Sequence, residues 1–227
     1  MATQNQAALA GGSTVRAAFY GWKLLLVLWL IMAFNLGFPA YGTFTINAVM
    51  SKSLGFSRET LSWVFSAYMV MSGLPGPLVA ICINRLGSRR TLMIGSALLI
   101  TGAVLMATCV HLWWQAALVF GLLVGSGVAT GGALASQTAL GRWFVRRRSM
   151  ALSILYSAGA IGGFVASPLI AKVIRSAGGD WRVGWWVIAG LSFVAGLLAM
   201  RFVREQPADL GQTTDGDARA GTAEAQA

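Results

Sequence analysis

Apolar and polar positions are bunched along this chain rather than interspersed. Six apolar blocks, roughly 21–47, 59–83, 90–110, 113–141, 148–174 and 182–203, alternate with short polar loops. Each block is long enough to cross the hydrocarbon core of a bilayer, which takes about 20 helical residues. Short loops make consecutive helices antiparallel neighbours. The pattern predicts an all-α integral membrane protein with six transmembrane helices, residues 19–205 forming one bundle. Residues 1–18 are polar and small, with the single Arg16 and no short apolar core before a cleavage site. They read as a cytoplasmic N-terminal tail, and the first apolar block as a retained span. From Glu205 onward the composition changes: EQPADLGQTTDGDARAGTAEAQA holds five of the seven acids and almost no large apolar residue. Such a segment cannot bury a core, and 206–227 reads as a disordered cytoplasmic linker or tail.

Composition supports the same class. Of 227 residues 56% are hydrophobic and 11% charged, against about 25% charged in an average soluble domain. A formal charge of +10 would suggest nucleic acid in a soluble chain, but here the basic residues sit between apolar blocks, where they orient a membrane protein. With the N-terminus inside, twelve Lys and Arg residues fall on the cytoplasmic side and five on the other. The positive-inside rule then puts both termini in the cytoplasm, in a multi-pass protein of the cell (inner or plasma) membrane. The bilayer is the expected partner and nucleic acid is not. Trp22, Trp113, Trp114, Trp143, Trp181, Trp185 and Trp186 cluster near span ends, where indole rings prefer the interface, while Trp29 and Trp63 fall deeper.

No Lys, Arg, Asp or Glu occupies the middle of a span. A charge there would cost about 2.5 to 3.5 kcal/mol on insertion scales and usually marks an ion path. Small and uncharged polar residues remain. Gly121 and Gly125, Gly127 and Gly131, and Gly159 and Gly163 recur at four-residue spacing, which lets helix backbones approach closely; they serve as packing surfaces or as sliding ones. Pro75 and Pro77 predict a kink in span two. Asn35, Tyr41, Tyr68, Gln137 and Tyr156 are the deep polar candidates for a substrate cavity, each open to the alternative of a bond to a neighbouring helix. Asn47, Thr43 and Thr45 fall towards the outer end of span one and read as water-contacting, and His111 as an interface residue. Cys82 and Cys109, near opposite ends of neighbouring spans, read as unpaired small packers. No nucleophile with base and acid, no metal-ligand spacing and no cofactor loop appears, so the expectation is neither an enzyme nor a metal or cofactor protein.

The stretch Ala80 to Arg90, AICINRLGSRR, resembles the loop between helices two and three of major facilitator superfamily transporters, G-x-L-a-D-R-x-G-R-R. Arg85, Gly87 and Arg89 match, with Arg90 following; Ala80 stands for glycine, Asn84 for aspartate and Ser88 for the first basic residue of the final pair. YGWKLL at the start of span one, GRWFVRRRSMALSILYSAGAIGG and REQPADLGQ are similar to the monocarboxylate-transporter and oxalate/formate-antiporter branch. Gly121 stands where proton-linked drug antiporters carry arginine, which disfavours drug export. The resemblance covers 19 to about 216 and implies the N-terminal half of the family fold, six helices in a 3+3 inverted repeat. It further implies secondary active transport of a small organic anion, a monocarboxylate or dicarboxylate, by alternating access, with a second six-helix half as partner. The carboxylate-binding basic residues would then lie in that second half. The family's loop acts as a cytoplasmic latch, and Asn84 in the aspartate position implies a weaker, less pH-sensitive one. The competing reading is a non-transporting membrane subunit that binds a partner.

Overall fold

In the computed structural model, which describes residues 19–216, the apolar blocks wind into five long helical stretches. These are α1 (Tyr20–Leu54), α2 (Arg58–Thr108), α3 (Trp113–Gly141), α4 (Arg148–Ser176) and α5 (Arg182–Phe202), each apolar enough to cross a membrane. Their ends follow local rules. Gly55 closes α1 in the left-handed region at φ 69°, and the Ser57 hydroxyl caps α2 by accepting the Thr60 N–H at 3.2 Å.

As one straight rod the 51 residues of α2 would reach about 75 Å, more than twice the hydrocarbon thickness. The helix is broken instead at Gly87, with φ 85° and ψ 165°, dihedrals that favour glycine. Its two arms run in opposite directions along α3. In the first arm, Ala67 lies beside Gly121, and Tyr68 and Met71 beside Gly125. In the second, Gly102 meets Val124, Leu99 meets Gly127 and Gly95 meets Gly131, so numbering falls along one arm as it rises along α3. A smaller interruption falls at Leu74 and Pro75, where the Pro75/Pro77 pair predicts a kink.

Two stretches are wound more widely than an α-helix, as π-turns: 33–42 in α1, which contains Pro39, and 117–125 in α3. Wide turns of this kind recur at functional positions. The 33–42 stretch packs on α4 and the 117–125 stretch on the first arm of α2, while the second arm packs along α5. The buried apolar residues form two clusters. One, with Leu28, Leu92, Trp143 and Leu155, sits at the end holding Gly87; the other, with Met50, Met106, Phe120 and Trp185, sits at the opposite end.

Several expectations need correction. Residues 206–216 are ordered rather than a disordered linker. Pro207 is buried, Tyr20 N–H donates to Gln212 Oε1 at 3.0 Å, and Asp215 Oδ2 accepts the N–H groups of Val145 and Arg146 at 3.1 and 2.6 Å. The segment needs no core of its own, because its polar groups complete the loop it covers. Residues 217–227 and the tail 1–18 lie outside the described residues. Span one runs to Leu54 instead of 47, so Thr43 and Asn47 are two or more turns from its end and fully buried, not water-contacting. Trp143, Trp181 and Trp185 are core residues rather than interface anchors. Cys82 is half-buried, but Cys109 is exposed and packs nothing away; both are free thiols.

Candidate functional site

Between the wide stretch of α1, the first arm of α2 and the middle of α3 lies an open cleft of about 390 Å³. Tyr41 and Tyr68 meet in it, with Leu36, Phe44, Met69 and Leu134 among its walls and Ser72 adding a hydroxyl. No charged side chain lines it among the described residues. Tyr68 is held by stacking on Phe120 at 4.6 Å between ring centroids, itself edge-on to Trp185 at 5.8 Å. A further stack joins Phe44 to Phe65 at 4.8 Å. This aromatic ladder was missed in the sequence; the spacing of Phe65 and Tyr68, three residues apart on one helix face, is the signal that carries it.

Tyr41 is set by packing against α4: a Cβ on Gly163 would overlap its ring, at 2.7 Å from Cγ. Tyr41 is 49% exposed and lines the cleft. Gln137 of α3 and Tyr156 of α4 pair with each other outside the cleft lining, Tyr156 Oη donating to Gln137 Oε1 at 2.6 Å. From Leu134 the surface continues through a smaller hollow formed with Thr138, Ala80 and Asn84, so the cleft leads towards the 84–90 loop. A further polar contact joins α1 to α4, Trp29 Nε1–H donating to Ser157 Oγ at 3.1 Å.

Asn35 belongs elsewhere. It is fully buried, and its Nδ2 donates to Ser96 Oγ at 2.8 Å and to the Gly131 carbonyl at 3.2 Å. It therefore ties α1 to α2 and α3 instead of facing the cleft. The reason is glycine: Gly95 and Gly131 bring two backbones into contact around the amide, leaving no path to it. The remaining spaced glycines also sit at helix contacts: Gly121 on Ala67, Gly125 on Tyr68 and Met71, Gly127 on Leu99, and Gly159 on Leu36 and Met32.

The 80–90 loop forms the second site. Ala80, Asn84, Arg85 and Arg90 are exposed, and the side chains of Asn84, Arg85 and Arg90 make no hydrogen bond among the described residues. Gly87 and Arg89 are engaged by a residue that sequence reading did not single out, Glu205. Its Oε1 accepts the Arg89 N–H at 2.7 Å, and its Oε2 pairs with the Arg142 guanidinium at 2.6 Å. A side chain at Gly87 would strike that carboxylate, at 2.6 Å from Oε1. Arg89 Nη2 also donates to the Met200 carbonyl, and Trp143 Nε1–H to the Arg204 carbonyl at 3.2 Å. Glu205 thus joins the reversal of α2, the loop between α3 and α4, and the end of α5. Its signal was its acidity amid an arginine-rich end of the chain.

His111 is exposed at the opposite end, Nδ1 at 3.2 Å from the Cys109 carbonyl and Nε2 at 3.4 Å from Arg182 Nη2. No group of three or more potential metal ligands occurs among the described residues.

The family model described as Major Facilitator Superfamily matches residues 24–225. Monocarboxylate transporter 4 of Gallus gallus is 27% identical over 173 residues, covering 76% of this chain and 35% of that protein. Monocarboxylate transporter 6 of Homo sapiens is 30% identical over 172 residues, 76% of this chain and 33% of that protein. The Fujikurins efflux protein of Gibberella fujikuroi is 28% identical over 144 residues, 62% of this chain and 30% of that protein. The chain spans about a third of the length of these curated relatives. With apolar helices built to span a bilayer, an uncharged cleft among them and a family model matched along most of its length, this chain belongs to the Major Facilitator Superfamily, in its monocarboxylate-transporter branch.

Proposed function

We propose that this chain supplies the N-terminal six-span half of a secondary transporter for small organic anions, working by alternating access against a second six-helix half. The observation that carries the reading is the uncharged, tyrosine-bearing cleft that opens on one face of the bundle. A single wall of this kind can hold the apolar body of a small acid and donate hydroxyl hydrogen bonds to its carboxylate. The compensating positive charge then comes from the facing half, which accounts for the lack of charge in the cleft.

The internal pairing of helices supports the 3+3 repeat. Breaking α2 at Gly87 makes six crossings, with 58–86 as the second and 88–108 as the third. Exchanging crossings one, two and three with four, five and six maps the contact of α1 on α4 onto that of α3 on the first arm of α2. The contact of the second arm with α5 maps onto itself, and both wide-turn stretches fall in matching crossings, one and four. Inverted repeats are the framework on which rocking transporters alternate. The charge count supports a cytoplasmic Gly87 end, and with it cytoplasmic termini.

Uptake of a labelled monocarboxylate into liposomes tests the reading. Saturable uptake is expected when the chain is reconstituted with a second six-helix half, and none with this chain alone. Saturable accumulation by the purified chain alone would overturn the need for a second half. Stable complex formation without flux would favour a non-transporting subunit.

A further inference from the structure

At the Gly87 end of the bundle, α1 and α5 meet where two cations lie over the rings of Tyr20 and Phe202. Tyr20 Oη donates to the Phe202 backbone carbonyl at 2.8 Å, which ties the start of α1 to the end of α5. Lys23 Nζ sits 5.8 Å from the Tyr20 ring centroid and 5.4 Å from that of Phe202. Arg201 lies 5.7 Å from the same Phe202 ring. Two like charges from different helices therefore converge on one ring. Among the described residues the ion pair is Arg142 with Glu205, so neither cation has a carboxylate there. Aromatic faces hold a cation without neutralising it. An anion is what the arrangement lacks.

The surroundings say which anion. Both cations are exposed, and each stands at the end of an apolar strip on its own helix face. Leu26, three residues after Lys23, is 61% exposed, and Leu197 and Val194, four and seven residues before Arg201, are 44% and 42% exposed. Side chains three, four and seven apart share one face of a helix. Trp22 lies next to Lys23, 39% exposed and edge-on to Phe144 at 5.3 Å, an amphipathic ring suited to the headgroup level. A dissolved anion would have no use for those strips, whereas a lipid would lay its acyl chains along them and its phosphate against the cations.

We propose that Lys23 and Arg201, set on the Tyr20 and Phe202 rings, form a headgroup site for an anionic phospholipid at the junction of α1 and α5. Basic clusters flanking spanning helices attract anionic lipid; here the aromatic platform adds a fixed place for it.

Native mass spectrometry of the purified chain in detergent with equal amounts of phosphatidylglycerol and phosphatidylcholine reads the site directly. The chain is expected to retain phosphatidylglycerol preferentially, and K23Q/R201Q to lose that preference by roughly five-fold for each cation removed. The K23R/R201K variant, which keeps both charges, is expected to retain it, as is R146Q/R147Q, which removes an equal charge from the loop between α3 and α4. Excess inorganic phosphate should leave the bound lipid in place. Unchanged preference in K23Q/R201Q, equal loss in R146Q/R147Q, or full displacement by inorganic phosphate would each overturn the proposal. If the double variant does not fold, the single variants K23Q and R201Q carry the same comparison, each with a part of the loss.

Discussion

The interior between the helices and the end that carries Gly87 solve opposite problems with opposite residues. In the interior, contacts are made by absence: Gly95 against Gly131, Gly37 against Gly162, Gly121 against Ala67. Lipid is as apolar as a leucine side chain, so close backbone approach and dispersion replace the hydrophobic drive. At the Gly87 end water is present, and contacts are made by charge and hydrogen bonds, with Glu205 spanning three elements and Asp215 completing the Val145 and Arg146 amides. The difference teaches where each region tolerates change. A steric contact fails at the first added carbon, whereas an exposed ionic one is shared among water, salt and its partners.

Mutations that exchange the two kinds of contact probe that difference, and the largest effect is expected at Gly95. A Cβ there would overlap the backbone of Gly131, which cannot move aside as a side chain can. Gly95→Val is expected to destabilise by about 3 kcal/mol or more, read as loss of monodisperse protein in size exclusion. Gly190→Ala, in the same kind of helix but with nothing within 4 Å of the added carbon, should be neutral or stabilise by up to about 1 kcal/mol. Equal outcomes at the two positions would remove the steric argument.

Next in size is Asn35→Ala, which deletes both bonds to Ser96 and Gly131. A loss of about 1 to 2 kcal/mol is expected in thermal unfolding. Because the residue is buried away from the cleft, transport by protein that remains folded should be unaffected.

Glu205→Gln is expected to cost less in stability, about 1 kcal/mol or below, because both partners of its ion pair keep about a third of their side-chain surface in water. Its mark is salt dependence: the difference from the parent protein should shrink at high ionic strength. Gly87→Ala should cost more than Glu205→Gln, since it forces the left-handed backbone and drives a methyl into the carboxylate.

The smallest effect on stability is expected from Tyr41→Phe, within about 0.5 kcal/mol, since the ring packing on Gly163 is kept. Under the proposed function it removes a hydroxyl bond to substrate, raising the KM for a monocarboxylate by roughly five-fold, the equivalent of about 1 kcal/mol. Unaltered KM would separate this tyrosine from the site.

The membrane class, the helical content and the reversal near residue 87 were legible in the sequence because each rests on a local property. Apolar block length decides spanning, and Gly87 between two apolar runs decides where the chain can turn. The spaced glycines were legible as helix contacts for the same reason, since spacing on a helix is geometry. The partner of each contact was not. Asn35 and Tyr68 look alike along the chain, deep and polar in apolar runs, yet one is a tether between three helices and the other part of a cleft wall. Which way a helix face points depends on its rotation about its own axis, and neighbours set that rotation.

Glu205 and the ordered segment after it mark the same boundary. Nothing in EQPADLGQTTD encodes a core, and by composition alone it has no reason to stay in place. It does so because Arg142, the Arg89 amide and the Val145 and Arg146 amides are gathered at one end of the bundle, within reach of its carboxylates. The sequence by itself determined the solvent this protein lives in, through apolar run lengths and the bunching of charge. Which polar groups face the cleft, which tie helices together and which end holds residues 205–216 came from the tertiary structure, because those outcomes depend on groups brought together from distant parts of the chain.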